Sequence, residues 1–388
     1  MSLKAVILAA GEGRRLRPLT QNRPKALIPV ANKPIIEHNI NSLVNAGIRD
    51  IIVVVGFRKE QVMRHLSQLS FPVMIVQQAE QLGTAHALLC AKGMIKDDVL
   101  VIPGDNYIDS GSLRDIITIK NSLLYTTHKQ PSNFGVITIE GDIVTSITEK
   151  PIKASRMTVS CGIYHISSEL VWRIADNSMS EVIDAEIRLG TKITAIKAHS
   201  WQDAIYPWDL LTMNERLLTD ITAQKAGIIS SSAVIQGPVS IGKGTEIKPG
   251  VVITGPVFIG EDCKIGAHAV IEPGTSIGSR VTVNSHTTIN KSIIMNDAVI
   301  ASHCSISGSV IGEGCTIGEN SLIVHKDGFI ILDNTPIRSS CGVIMGNGVI
   351  SSPNILLENV IVGNNVCIQG KSDKRFSNSV IPDKTQVM

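Results

Sequence analysis

Ile259-Gly260-Glu261-Asp262-Cys263-Lys264, Ile265-Gly266-Ala267-His268-Ala269-Val270 and Ile271-Glu272-Pro273-Gly274-Thr275-Ser276 are three successive six-residue units, each opening on isoleucine. The spacing continues outward in both directions. Upstream it runs through Ile229, Ile235, Ile241, Ile247 and Ile253, and downstream through Ile277, Val283 and Ile289. A five-residue step leads to Ile294, Ile300 and Ile306, and another to Ile311, Ile317 and Ile323. Gly follows many of these positions, and a small or β-branched residue sits four positions on, as at Thr245, Cys263, Ala269, Thr275, Val281 and Thr287.

A period of six matches neither the 3.6 of an α-helix nor the alternation of a simple strand. It matches a β-helix with one short strand and one tight turn per six residues, three such units closing one triangular coil. The aliphatic residue then points inward and stacks on its equivalent in the next coil. Aromatic usage agrees. The chain has six Phe, four Tyr and three Trp, yet beyond Trp208 only Phe258, Phe329 and Phe376 remain. A narrow prism has no room for rings. The register breaks between Val324 and Ile344 and resumes at Met345-Gly346, so residues 324–344 are read as an extruded loop. From about Lys371 the sequence turns polar and reads as a loose tail.

The first half has a different grammar. Lys4–Ala10, Ile51–Val55, Val73–Val76 and Val99–Ile102 read as strands, with helical segments between them at Ile35–Ala46, Lys59–Gln68 and Thr84–Ala91. Such alternation indicates a mostly parallel α/β sheet, which binds ligands beyond the carboxyl ends of its strands. The expected division is an α/β domain over 1–222 and a β-helix over 228–388.

The net charge is +2 and charged residues are 18% of the chain. Charge alone therefore does not suggest a nucleic-acid partner, and no apolar run is long enough to span a bilayer. The seven scattered cysteines contain no Cys-x-x-Cys, which fits reduced thiols in a cytoplasmic protein.

The first strand runs directly into Gly11-Glu12-Gly13-Arg14-Arg15-Leu16-Arg17-Pro18-Leu19-Thr20, followed by Pro24-Lys25-Ala26-Leu27. Glycines there let backbone N–H groups approach phosphate oxygens, and Arg and Lys supply a bidentate fork and a point charge. Leu16 replaces the third glycine of a dinucleotide fingerprint, and no Walker A motif is present.

These segments resemble the sugar-1-phosphate nucleotidylyltransferases. The resemblance extends through Gln78-Ala79-Glu80-Gln81-Leu82-Gly83-Thr84-Ala85, Gly104-Asp105, Phe134-Gly135-Val136-Ile137, Glu149-Lys150-Pro151, Gly162-Ile163-Tyr164 and Trp201-Gln202-Asp203, in the family's order over roughly residues 3–220. It implies a Rossmann-like fold and a reaction in which a sugar 1-phosphate attacks the α-phosphorus of a nucleoside triphosphate and pyrophosphate leaves. By resemblance, Arg15 and Lys25 are catalytic, and Leu8, Ala10, Gly11, Gly13, Gln78, Gly83 and Thr84 bind the nucleotide. Gly135, Glu149 and Ser160 bind the sugar, and Asp105 and Asp203 hold Mg²⁺. Gln78 ahead of the Leu-Gly-Thr-Ala segment points to UTP or dTTP, with glucose 1-phosphate or N-acetylglucosamine 1-phosphate as acceptor. Two positions depart from the pattern. Arg14 stands where Thr or Ser is usual, and Ser160 where Asn is usual.

The repeat resembles the left-handed β-helix of hexapeptide acyltransferases. The fusion of both halves resembles the bifunctional N-acetylglucosamine-1-phosphate uridylyltransferase/glucosamine-1-phosphate acetyltransferases, which use acetyl-CoA and a histidine base. The segment corresponding to that base is Ser302-His303-Cys304-Ser305-Ile306-Ser307-Gly308-Ser309. His303 is kept, while Ser302, Ile306 and Ser309 replace the family's Gly, Tyr and Asp. The alternatives are thus a nucleotidylyltransferase alone, one with added acetyl transfer through His303, and a non-catalytic regulatory subunit like those of translation initiation factor 2B. The resemblance also implies a homotrimer or hexamer assembled through the β-helix, with no nucleic-acid or membrane partner.

Overall fold

The computed structural model describes residues 3–174, 178–369 and 374–387. They pack as two compact units. The first comprises Met1–Gly13, Arg23–Ile28 and Pro34–Asp203, and the second Arg14–Asn22, Pro29–Lys33 and Ala204–Met388.

In the first unit the strand Lys4–Ala9 lies between Asp50–Val55 and Val99–Pro103, parallel to both, with Lys4 opposite Asp50 and Val99. Met74–Gln77 extends the parallel half beyond Asp50–Val55. These runs are apolar at consecutive positions because both faces are covered. Ala5, Ile7 and Ala9 join Ile51, Val53 and Val55 in one core, which takes Ile36, Ile40 and Leu43 from the helix Ile35–Asn45 and Val62 from Lys59–Leu66. Val6, Ile52 and Val54 face the other core, with Ala85 and Leu88 of the helix Thr84–Cys90.

The sheet has nine strands, and beyond Val99–Pro103 it is mixed. Thr158–Ile166 runs antiparallel to both Val99–Pro103 and Ser122–Thr127, and Gly135–Glu140 forms a hairpin with Ile143–Glu149. Only the first four strands carry the strand–helix alternation that signals parallel pairing. Between Gly135–Glu140 and Ile143–Glu149 the short hairpin connection imposes the antiparallel arrangement, while Thr194–Lys197 pairs in parallel with Ser122–Thr127.

The second unit contains the left-handed parallel β-helix, with three strand ladders running along it. On one face Ile253, Ile271, Ile289, Ile306, Ile323 and Leu357 are stacked in register. All six are buried in one continuous aliphatic core with Cys263, Cys304 and Cys315. The corners between strands use left-handed residues, including Asp262, His268, Arg280, His286, Asp297 and His303 at φ between 53° and 61°. One corner carries a polar ladder in which a side chain caps the preceding coil. Ser279 N–H donates to Asn296 Oδ1 at 2.9 Å, Asn347 N–H to Asn364 Oδ1 at 2.8 Å, and Asn364 N–H to Asp383 Oδ1 at 2.6 Å.

Two of the three late aromatics avoid the prism interior. Phe258 sits between inward-facing Val257 and Ile259, and Phe329 is 62% exposed, whereas Phe376, in the last coil, lies opposite inward-facing Leu357 and packs against the aliphatic core.

Two readings of this half change. Within 324–344, Lys326–Leu332 and Thr335–Cys341 form an antiparallel hairpin from Lys326↔Cys341 to Leu332↔Thr335. Its two-residue turn, Asp333-Asn334, has φ of 47° and 61°, the positive pair that a type I′ turn requires. The polar end of the chain is also regular. Arg375–Ile381 pairs in parallel with Leu356–Val362, and Gln386–Val387 with Cys367–Ile368. Phe376, Ile381 and Val387 give this last coil its apolar contacts, while Lys371 lies outside the described residues.

The helix Asp209–Leu218 belongs to the second unit and carries a fully buried Asn214. Its Oδ1 accepts from Ala31 N–H at 2.9 Å and Ser276 Oγ at 2.7 Å, and its Nδ2 donates to Gly274 O at 2.8 Å.

A phenyl ring in the stacked ladder should overfill it. Ile289→Phe is expected to destabilise the second unit by about 1–3 kcal/mol, read as a lower unfolding midpoint. An unchanged midpoint would show that the prism has room to spare.

Candidate active site

Three segments of the first unit converge at the carboxyl end of the central strands. Asp105 follows Val99–Pro103. Asp203 ends the strand Trp201–Asp203, which pairs antiparallel with Asn106–Ile108 so that Asp203 lies opposite Asn106. That pairing brings together two aspartates nearly a hundred residues apart. Lys25 opens a 3₁₀ turn, Lys25–Leu27. Its Nζ lies 2.9 Å from Asp105 Oδ2 and 3.4 Å from Asp203 Oδ1. Burial lowers the ammonium's pKa, but the two carboxylates outweigh it and hold the group above its ordinary range. Lys25 is therefore a fixed positive charge between two negative ones.

Asp109 sets this arrangement from behind. Its carboxylate accepts from Gly111 and Ser112 N–H, capping the helix Ser110–Ile116, and from Ser200 N–H at 3.0 Å. The last bond fixes the chain just before Trp201. Burial raises the Asp109 pKa, and the bonds from Ser112, Ser200 and Gly111 outweigh it, leaving it lowered. Sequence reasoning missed Asp109, although an acidic residue before a Ser-x-Ser helix start is a recognisable cap.

A cavity of about 200 Å³ opens here. Leu8, Thr84, Gly135, Glu149 and Ser160 line it together with Asp105 and Asp203, so the expected sugar and metal residues share one space with two of the expected nucleotide residues, while Ala10, Gly11, Gly13, Gln78 and Gly83 are not among its lining. Thr84 Oγ1 accepts from Met179 N–H at 2.9 Å. Gln78 is buried, and its Nε2 donates to Gly83 O at 3.0 Å and meets His86 Nδ1 at 3.0 Å. His86 thus orients the Gln78 amide. Ser160 Oγ donates to Tyr164 Oη at 3.3 Å and accepts from Gly162 N–H at 3.1 Å. These internal bonds occupy Ser160 where the family's longer Asn is usual, and they implicate Tyr164 as its support. Glu149 pairs with Lys150 at 3.1 Å. Ala10 O accepts from Phe57 N–H at 3.0 Å, fixing the start of the glycine loop.

Two of the expected residues, Arg15 and His303, are in the second unit. Arg15 belongs to the second unit, where it lines a different cavity with Arg14 and Arg17. His303 is exposed on a β-helix corner, where its ring stacks on His286, which stacks on His268, with centroids 5.1 and 5.2 Å apart.

Asp105 and Asp203 suit Mg²⁺, a hard cation that takes one or two carboxylates and completes its shell with phosphate and water oxygens. Among the described residues no cluster of three or more His, Cys, Asp or Glu could hold a metal ion. Among them, too, no helix is long and apolar enough to cross a membrane.

A Rossmann-like sheet that ends in a glycine loop, a clamped lysine and paired aspartates defines a nucleotidyl-transfer type of site. The nucleotidyl transferase family model matches residues 4–205, and the chain belongs to that family. Residues 253–376 match the GMPPB C-terminal domain. Among individual relatives, the chain is 39% identical over 289 residues to the bifunctional protein GlmU of Methanococcus vannielii, covering 70% of this chain and 69% of that protein. It is 35% identical over 286 residues to a bifunctional sugar-1-phosphate nucleotidylyltransferase/acetyltransferase of Sulfurisphaera tokodaii, covering 70% of each. It is also 32% identical over 240 residues to the UTP–glucose-1-phosphate uridylyltransferase AglF of Haloferax volcanii, covering 57% of this chain and 98% of that one. The match to GlmU proteins of Methanococcus maripaludis spans 62% of their length in one strain.

The two loop glycines are not equivalent. Gly13 has φ +72°, and a Cβ there would sit 2.8 Å from Lys25 Cβ, whereas a Cβ at Gly11 meets nothing within 4 Å. Gly13→Ala should cost about 1–3 kcal/mol through strain and displace Lys25, while Gly11→Ala should leave the unfolding midpoint nearly unchanged. Equal effects of the two substitutions would refute the Lys25 contact.

Proposed function

We propose that the chain transfers a nucleotidyl group from UTP or dTTP to glucose 1-phosphate or N-acetylglucosamine 1-phosphate and releases pyrophosphate. The observation that carries the reading is the Lys25 ammonium between Asp105 and Asp203 beside the cavity. In the reaction an oxygen of the sugar phosphate forms a new bond to the α-phosphorus as the bond to the β-phosphate oxygen breaks. Little proton transfer is needed, so catalysis is mainly positioning and charge neutralisation.

Lys25 is placed to offset negative charge as that bond changes, and its raised pKa keeps it protonated at neutral pH. Asp105 and Asp203 would hold Mg²⁺, which would supply neutralisation of phosphate charge. Gln78, oriented by His86, and the backbone at Gly83 read the base. Gly135 and Glu149 take the sugar, with Ser160 and Tyr164 shaping that wall. Arg15 takes the triphosphate. The activities named for the Haloferax volcanii and Sulfurisphaera tokodaii relatives support this reading. The clamped lysine argues against a regulatory subunit without catalysis.

A second reading adds acetyl transfer from acetyl-CoA to glucosamine 1-phosphate with His303 as base. It is supported by the exposed histidine row and the bifunctional relatives. Against it, the contacts found for His303 are to another ring, whereas a catalytic base is usually oriented by a carboxylate or carbonyl. Trimer formation through the β-helix belongs to either reading.

A pyrophosphate-release panel tests the proposal by crossing four nucleotides with glucose, N-acetylglucosamine and mannose 1-phosphates in Mg²⁺. Turnover is expected with a pyrimidine nucleotide, should vanish on chelation, and should fall about 100-fold or more in Asp105→Asn with the fold retained. Absence of turnover with every pair sinks the proposal. Thiol release from acetyl-CoA with glucosamine 1-phosphate, abolished in His303→Ala, would establish the second activity, and no release would remove it.

A further inference from the structure

One wall of the first unit's cavity carries hydroxyl groups whose order sets the direction of their protons. Gly162 N–H donates to Ser160 Oγ at 3.1 Å, and Ser160 Oγ donates to Tyr164 Oη at 3.3 Å. Tyr164 is buried, and its oxygen lies 3.4 Å from Ser180 Oγ. A phenol carries one proton. Tyr164 accepts from Ser160 and therefore gives that proton to Ser180. The proton of Ser180 is then the open end of the chain, in the lining of the cavity. A backbone amide can only donate, so Gly162 fixes the polarity of three side chains, and successive bonds in such a chain strengthen one another.

Glu149 faces the same space. A Cβ on Gly135 would lie 3.1 Å from Ser180 Oγ and 3.3 Å from Glu149 Oε2, so both oxygens border the room that this glycine leaves. The scaffold holds the two in a fixed relation. Ser180 is in the first turn of the helix Met179–Arg188, which starts in a capping box between Ser178 and Glu181. One turn on, Asp184 Oδ1 accepts from Ile147 N–H at 2.8 Å and ties that helix to the strand Ile143–Glu149. An ionised carboxylate only accepts, whereas Ser180 presents a proton. A group bound between them must donate to one and accept from the other, and a hydroxyl does both.

We propose that Ser180 is a specificity residue for the acceptor sugar. It donates to the oxygen of the sugar hydroxyl whose own proton goes to Glu149. Tyr164 is the positioning residue that directs the Ser180 proton, and Ser160 acts through Tyr164. The proposal rests on the reading that this cavity takes the sugar 1-phosphate, and deepens it by assigning the recognition of one sugar hydroxyl.

Pyrophosphate release is measured at saturating pyrimidine nucleotide with glucose 1-phosphate, N-acetylglucosamine 1-phosphate and their deoxy and deoxyfluoro analogues at each hydroxyl-bearing carbon. Ser180→Ala is expected to raise the KM for the sugar phosphate about 5- to 10-fold, with kcat and the nucleotide KM within about twofold of the wild type. With one deoxy analogue, wild type and Ser180→Ala should behave alike, because the hydroxyl that Ser180 meets is gone. The matching deoxyfluoro analogue accepts but cannot donate, and it should keep part of the difference. Tyr164→Phe should weaken recognition of that same hydroxyl and add little in the Ser180→Ala background. An unchanged sugar KM in Ser180→Ala, an equal loss with every analogue, or a fluoro analogue indistinguishable from the deoxy one overturns the proposal. A wild type that turns over no sugar phosphate removes the reaction itself and this inference with it. Turnover by the wild type without a Ser180-dependent pattern among the analogues removes this inference alone.

Discussion

A buried ammonium cannot be left alone, and Lys25 imposes that requirement on the whole first unit. Removing a lysine head group from water is costly unless carboxylates compensate it. Here the compensation comes from Asp105 and Asp203, which arrive from segments far apart in sequence. Asp105 needs a parallel strand ending at Pro103. Asp203 needs the short strand paired with Asn106–Ile108, and Asp109 secures that strand at Ser200. Lys25 itself needs Gly13, whose missing Cβ leaves room for the lysine's own stem. Removing any one of these supports leaves unlike charges mismatched in a poorly solvated place. The clamp is therefore both a structural demand and the chemical resource of the site.

The two units solve the problem of burying apolar surface by opposite means. The α/β sheet alternates residues between two cores, so consecutive apolar residues serve different neighbours. The β-helix uses one core only, and every coil repeats the same few inward positions. The first architecture admits large rings, and Tyr164 is among its largest fully buried side chains. The second admits one ring only at its last coil, where Phe376 lies opposite Leu357, while Phe258 and Phe329 stay outside. Chemical diversity is consequently concentrated where the chain is irregular.

Legibility in the sequence followed the same division. The six-residue period made the β-helix readable residue by residue, because each inward position is defined by its neighbours a few residues away. The parallel strands were readable because both their faces are apolar. The antiparallel half was less so, since hairpins such as Gly135–Glu140 with Ile143–Glu149 leave a weaker local pattern. The hairpin over Lys326–Cys341 reads as a loop in the sequence because the broken six-residue period masks the Asp333-Asn334 turn signal. The last coil was read as a tail because its polar outward residues dilute Phe376 and Ile381. At the site, residue types and order indicated the aspartates and Lys25. The contact between Lys25 and both carboxylates, the cap by Asp109 and the orientation of Gln78 by His86 depend on tertiary geometry that no local spacing encodes.

The polar ladder of the β-helix also has a temporal meaning. Asn364 reaches back 346 positions to Pro18, and its own backbone N–H is satisfied only by Asp383 in the following coil. A ribosome emits the 14–22 segment first and its anchor hundreds of residues later. That segment must therefore wait in an unfinished state while the intervening chain is made, paying the slow search of a long-range closure. The segment after the glycine turn is completed by coils made hundreds of residues later, so the order of synthesis and the order of assembly run in opposite directions.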